Sequence, residues 1–249
     1  MSAVLETQNL CKSFGALTVA DGIDFRLAAG ARHALIGPNG AGKTTFVNLL
    51  TGVLAPSSGT VLLGGEDVTL LGQSGRVKRG LGRTFQINTL FRNMSVLDNV
   101  ALGVAERQGV SGRLWRPAGA YSVVRDEALD LLSTLGIADE ANRRVLDLPY
   151  GKQRLVEIAI ALGLKPKVLL LDEPAAGVPS VESERILNAL DSLPGEIAIL
   201  IIEHDMDLVF RFAQRITVLV QGEVLCEGTS KEIADDVRVR HVYLGERHA

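Results

Sequence analysis

Residues 37–44, Gly37-Pro38-Asn39-Gly40-Ala41-Gly42-Lys43-Thr44, have the spacing G-x-x-x-x-G-K-[ST]. Glycines in such a loop let the backbone wrap a phosphate with its N–H groups turned inward. A helix opening at its end adds partial positive charge. Lys43 has the reach to place its ammonium on the β- and γ-phosphates of a nucleotide, and the Thr44 hydroxyl can ligate Mg²⁺. A second chemical pair lies far downstream. The apolar run Val168-Leu169-Leu170-Leu171 ends in Asp172-Glu173. A carboxylate at the end of a buried strand can hold Mg²⁺ through water, and one directly after it can polarise an attacking water.

These residues need elements that bring them together. Val4–Leu10 and the alternating Ile23–Leu27 read as strands, with a turn at Ala29-Gly30. Ala34–Ile36 is a short apolar strand running into the glycine-rich loop, and a helix follows from about Gly42 to Leu50. Val61–Leu63, closed by Gly64-Gly65, is a further strand. From Ser95 to about Leu164 the pattern turns helical: Val124, Ala128, Leu131, Leu132 and Leu135 recur at helical spacing. The last third alternates again. Val168–Leu171 and Ile197–Ile202 suit central parallel strands covered on both faces. Helices are expected over about Val181–Leu193 and Met206–Ala213, and a hairpin over Ile216–Val220 and Glu223–Cys226. Thr229 and Glu232 form a capping-box pattern. The whole chain reads as one domain: an α/β core in residues 1–87 and 164–249, and an inserted helical lobe over about 88–163.

Composition narrows the function classes. With 249 residues, 47% hydrophobic and 22% charged, the chain is ordinary globular protein. Its two cysteines, Cys11 and Cys226, are too few for a disulfide scaffold or a cysteine zinc site, and both are expected reduced. No signal peptide or membrane span is visible; the longest uncharged apolar runs fall far below the roughly 20 residues a span needs. A mean hydropathy of +0.21 nevertheless points to a large core or an apolar surface covered by a partner. The net charge of −3 gives no general reason to bind nucleic acid. The basic run Arg76, Lys78, Arg79, Arg83 reads as a solvated face.

Further residues fall in an order that resembles one family. Leu148-Pro149-Tyr150-Gly151-Lys152-Gln153-Arg154 resembles the L-S-G-G-Q signature of ATP-binding cassette (ABC) ATPases. Gln86, in Arg83-Thr84-Phe85-Gln86, resembles their Q-loop, and His204, in Ile202-Glu203-His204-Asp205, their switch histidine. Phe14 stands where an aromatic stacks on adenine, and Ala175–Pro179 where the D-loop belongs. Taken singly, Gln86, His204 and Phe14 read as ordinary structural residues; their order around one phosphate loop reverses that. Cys11, Cys226, His33, His241, His248 and Trp115 keep the structural reading.

The resemblance covers about Leu5 to Gly245 and implies a P-loop NTPase with a RecA-like core, an antiparallel β-subdomain and an inserted α-helical subdomain. It implies catalytic roles for Glu173, His204 and Gln86, and ATP contacts at Phe14, Gly37, Pro38, Asn39, Gly40, Ala41, Gly42, Lys43, Thr44, Thr45, Tyr150, Gly151 and Lys152. It implies Mg²⁺ held by Thr44, Gln86 and Asp172. Two cassettes would face each other head to tail, each ATP lying between the phosphate loop of one and the signature of the other. Movement would pass to integral membrane permease subunits at the cytoplasmic face of the inner membrane, with a solute-binding protein engaged only indirectly.

Within the family, Gly37–Thr45, Arg83–Gln86, Met94–Val100, Glu173–Gly177, Glu203–Met206 and Val242–Glu246 resemble the ATPase subunits of branched-chain amino-acid importers. The rivals are an exporter ATPase of the lipopolysaccharide type, which usually keeps L-S-G-G, and a non-transport ABC ATPase. Two departures stand out. Pro149 replaces the signature serine and has neither a side-chain donor nor an N–H, and Pro179 falls on the D-loop aspartate position. Lys152 replaces the signature glutamine, keeping a donor and adding charge. These departures favour a heterodimer over a homodimer.

Overall fold

The computed structural model describes residues 3–84, 90–109 and 119–244. Two sheets organise them. The first is antiparallel, in the order β2-β1-β4-β5, from β1 (Ala3–Phe14), β2 (Leu17–Ala28), β4 (Ser58–Leu63) and β5 (Glu66–Asp67). The second has the order β10-β9-β3-β8-β7-β6, from β3 (Arg32–Ile36), β6 (Leu81–Arg83), β7 (Val168–Asp172), β8 (Ala198–Ile202), β9 (Arg215–Val220) and β10 (Glu223–Gly228). Its five strands from β9 to β6 run parallel, and β10 closes the edge antiparallel.

Every residue of β7 and β8 is buried because both faces are covered. Leu169, Leu171, Ile199 and Ile201 pack with the helices of the middle region, while Val168, Leu170, Ala198 and Leu200 pack toward α1 (Lys43–Thr51) and the antiparallel sheet. The middle region holds α3 (Val96–Arg107), α4 (Gly119–Thr134) and α5 (Tyr150–Gly163), with 3-10 turns at Ala138–Glu140 and Val145–Asp147. Gly103 lets α3 approach α5 closely: a Cβ there would lie 2.6 Å from the Ile160 carbonyl. Helices α6 (Ser180–Asp191), α7 (Met206–Phe212), α8 (Ser230–Asp235) and α9 (Val237–Leu244) complete the chain, and the Thr229–Glu232 capping box is present.

Register places the site. Leu35 pairs with Ile202, and Ile202 with Asp172, so β3, β8 and β7 end level. The phosphate loop, Glu173, and the Glu203-His204 pair therefore leave the sheet on one edge, at the carboxyl ends of parallel strands, where open α/β sheets bind ligands.

The expectation of a solvated basic face fails at two of its four residues. Arg76, in α2 (Gln73–Val77), is fully buried. Its guanidinium donates to the carbonyls of Leu49 and Leu50 at 2.6 and 2.7 Å, and to those of Thr69 and Leu71 at 2.9 Å. Leu49 and Leu50 belong to the last turn of α1, whose carbonyls have no partner within the helix. Arg83 is also withdrawn from solvent, against Asp172. Lys78 and Arg79 are exposed, as expected.

Candidate nucleotide-hydrolysis site

The phosphate loop is locked from outside. A Cβ on Gly37 would lie 2.2 Å from the Leu219 carbonyl, and one on Gly42 2.7 Å from the Val19 carbonyl. Gly42, the N-cap of α1, also has φ +96°, so glycine is required there on both counts. The Gly222 amide donates to the Ala41 carbonyl at 2.9 Å and joins the loop to the β9–β10 turn. Lys43 Nζ donates to the Gly37 and Pro38 carbonyls at 2.6 and 3.0 Å. Burial pushes the Lys43 ammonium below its ordinary pKa, while Glu173 and then Asp172 oppose that shift. Thr44 is exposed on the first turn of α1, and Thr45 follows half-buried. Phe14 ends β1 as an exposed residue (53%), with Lys12 Nζ 5.1 Å from its ring centre.

Asp172 is buried at the end of β7. Arg83 Nη2 donates to its Oδ2 at 2.9 Å, and Nη1 donates to Asn48 Oδ1 at 2.9 Å, so one guanidinium joins β6, β7 and α1. Glu173 adopts φ +47°, a left-handed conformation that costs a non-glycine residue about 1 kcal/mol or more. Its amide donates to the Ile202 carbonyl at 2.9 Å, which holds the turn. His204 Nδ1 lies 3.8 Å from Glu173 Oε1 and 3.9 Å from Glu203 Oε2, with the imidazole largely exposed.

The signature residues begin a different helix. Pro149 is the N-cap of α5 and supplies no side-chain bond. Tyr150 is 40% exposed, with the Arg154 guanidinium 5.1 Å from its ring centre. The Gly151 amide donates to Glu182 Oε2 of α6 at 3.2 Å. Lys152 does not project a free charge: its ammonium is ion-paired with the buried Glu140. Gln86 lies outside the described residues. Arg83, Glu182 and Glu203 were not singled out from sequence as site residues. Of these, only Glu203 carried a local signal, as an acid placed beside His204 at the end of an apolar strand.

The sequence model of the ABC transporter family matches residues 20–176. The chain belongs to the ABC transporter family. It is 40% identical over 258 residues to the high-affinity branched-chain amino acid transport ATP-binding protein LivG of Escherichia coli (strain K12), covering 98% of each chain. It is 36% identical over 249 residues to the lipopolysaccharide export system ATP-binding protein LptB of Acidithiobacillus ferridurans, covering 99% of each. Among solved structures it resembles the ADP conformation of MJ1267, an ATP-binding cassette of an ABC transporter, with a TM-score of 0.85 and 30% identity. That match covers 99% of this chain and 100% of MJ1267. The chain is therefore an ABC ATPase that binds and hydrolyses ATP and works with a second cassette and with membrane subunits. Among the described residues no helix is long and apolar enough to cross a membrane.

Proposed function

We propose that this ABC ATPase drives uptake of branched-chain or related amino acids, bound to permease subunits at the cytoplasmic face of the membrane and paired with a different ATPase subunit. The arrangement that carries the mechanism is the shared sheet edge, where the phosphate loop, Asp172, Glu173 and His204 meet. The amino-acid reading is supported by the end-to-end likeness to LivG, which exceeds the likeness to LptB.

In this reading Lys43 leaves the Gly37 and Pro38 carbonyls for the terminal phosphates of ATP. Phe14, exposed at the end of β1, offers its ring to the adenine. The Thr44 hydroxyl and the Asp172 carboxylate are hard oxygen donors, the chemistry Mg²⁺ prefers, and would hold it beside the phosphates. When bound, the ion supplies charge neutralisation on the phosphate oxygens. Glu173 accepts the proton of the attacking water. His204 stands beside Glu173, where its imidazole can meet the charge developing on the γ-phosphate.

Lys43→Ala tests the assignment. Losing a charge-assisted contact costs about 1.5–3 kcal/mol, roughly a ten- to hundredfold loss of ATP affinity. Fluorescent-nucleotide titration of the folded variant should show that loss, and transport should fail with it. Wild-type affinity would sink the assignment. Uptake of labelled leucine by cells carrying the chain and its permease partners separates import from export.

A further inference from the structure

We propose that Glu203 is a positioning residue for hydrolysis: its buried carboxylate ties the turn after Glu173 to the histidine loop and so sets the distance between Glu173 and His204. Glu203 follows the last residue of β8 and is 1% exposed. Its own amide donates to the Leu35 carbonyl at 3.4 Å, which anchors it to the neighbouring strand. Each oxygen of the carboxylate serves a different loop. Oε1 accepts from the Ala175 amide at 3.2 Å, and Oε2 accepts from the His204 amide at 3.3 Å.

This bridge addresses a specific need. Glu173 is left-handed at φ +47°, and such a conformation persists only where its surroundings over-determine it. Three bonds do so here. The Glu173 amide donates to the Ile202 carbonyl, the Ala176 amide returns to the Glu173 carbonyl at 3.1 Å, and the Ala175 amide is held by Glu203. Only the last of these uses a side chain, and the same side chain grips the amide of His204. Removing it frees one end of the Glu173 turn and the start of the histidine loop together. A buried carboxyl is costly without partners. Burial pushes that of Glu203 above its ordinary pKa, while the two amides favour its ionised form.

The inference rests on the reading of Glu173 and His204 as the hydrolytic pair. The carboxylate of Glu203 is bonded to the Ala175 and His204 amides rather than to the phosphate loop, so its loss should lower kcat and spare binding. In Glu203→Gln one acceptor becomes an NH₂ group facing an N–H donor. The full chain should then lose about tenfold or more in kcat while ATP affinity and KM stay within about twofold of wild type. Glu203→Asp keeps the charge but is one methylene too short to span both amides, and should also lose rate. In the double variant Glu203→Gln/His204→Ala the further loss beyond His204→Ala should be smaller than the loss Glu203→Gln causes alone, because residues acting as one unit are not additive.

A lowered melting temperature with wild-type kcat in either single variant, or additive losses in the double variant, would overturn the proposal. Glu173→Gln run beside them separates the two levels. If it stops hydrolysis while Glu203→Gln and Glu203→Asp do not, only the role of Glu203 falls. If Glu173→Gln turns over like wild type, the assignment of the hydrolytic pair falls.

Discussion

At the scale of single residues, chemistry here depends on groups held in unfavourable states. Glu173 sits in a left-handed turn, and Lys43 is partly desolvated with two carboxylates opposing its loss of charge. Glu173→Gln keeps size and hydrogen bonding but removes the carboxylate proposed as the base. Positioned general bases are worth about 10²- to 10⁴-fold, so turnover should fall by that order while ATP still binds. Single-turnover assays with bound ATP read this directly, and unchanged turnover would move the base elsewhere. Lys43, Asp172 and Glu173 stand out in the sequence because their motifs are local, whereas His204 stands out only through its order relative to the phosphate loop. Arg83 does not, because its partners Asn48 and Asp172 are distant in the chain, and the local signal of Glu203 beside His204 says nothing of its second partner, Ala175, or of its seat beside Leu35.

At the scale of elements, the same division holds. Strands β3, β7 and β8 announce themselves as apolar runs, and α8 by its capping box. Strand β6 has only three residues, one of them glycine, too few to show a period. Helix α2 has five residues and no side-chain N-cap, and its buried Arg76 is held by carbonyls of Leu49, Leu50, Thr69 and Leu71. A basic run in sequence thus hides two structural guanidiniums. Arg83 gives the sharper test. Both members of the Arg83–Asp172 pair are nearly withdrawn from solvent, with side-chain exposures of 11% and 5%. Breaking a buried pair from one side costs roughly 3–5 kcal/mol, since it strands the other charge. Arg83→Met should therefore lower stability by about that amount in urea titration. Arg83→Met/Asp172→Asn should recover part of the loss, because no carboxylate is left stranded. A single variant as stable as wild type would mean that the bridge between α1, β6 and β7 is not a structural tie.

At the scale of the whole molecule, the chain's two functional surfaces are unequal. The phosphate-loop side carries Lys43, Asp172, Glu173 and His204 at the carboxyl ends of parallel strands, whereas the signature side begins α5 with a proline and has committed two further donors within the chain. The Gly151 amide is taken by Glu182, and the Lys152 ammonium by Glu140. We propose that a cassette built this way accepts a partner's signature better than it offers its own, which suits a heterodimer. The isolated chain should then be largely monomeric and slow, and its rate should rise with the second ATPase and the permease present. In the Glu173→Gln background with ATP, Pro149→Ser restores a hydroxyl at the N-cap of α5, where serine is among the favoured residues. A hydrogen bond to a charged group is worth about 1.5–3 kcal/mol, so self-association should tighten by about tenfold or more per contact. Proline is itself tolerated at a helix start, and the Tyr150 and Gly151 amides could serve a phosphate without serine. Sedimentation with and without Pro149→Ser decides between these views. Weak association that tightens with serine supports an asymmetric pair, while a tight ATP-bound homodimer with Pro149 in place would show that the α5 amides suffice and that Glu182 releases Gly151 on closure.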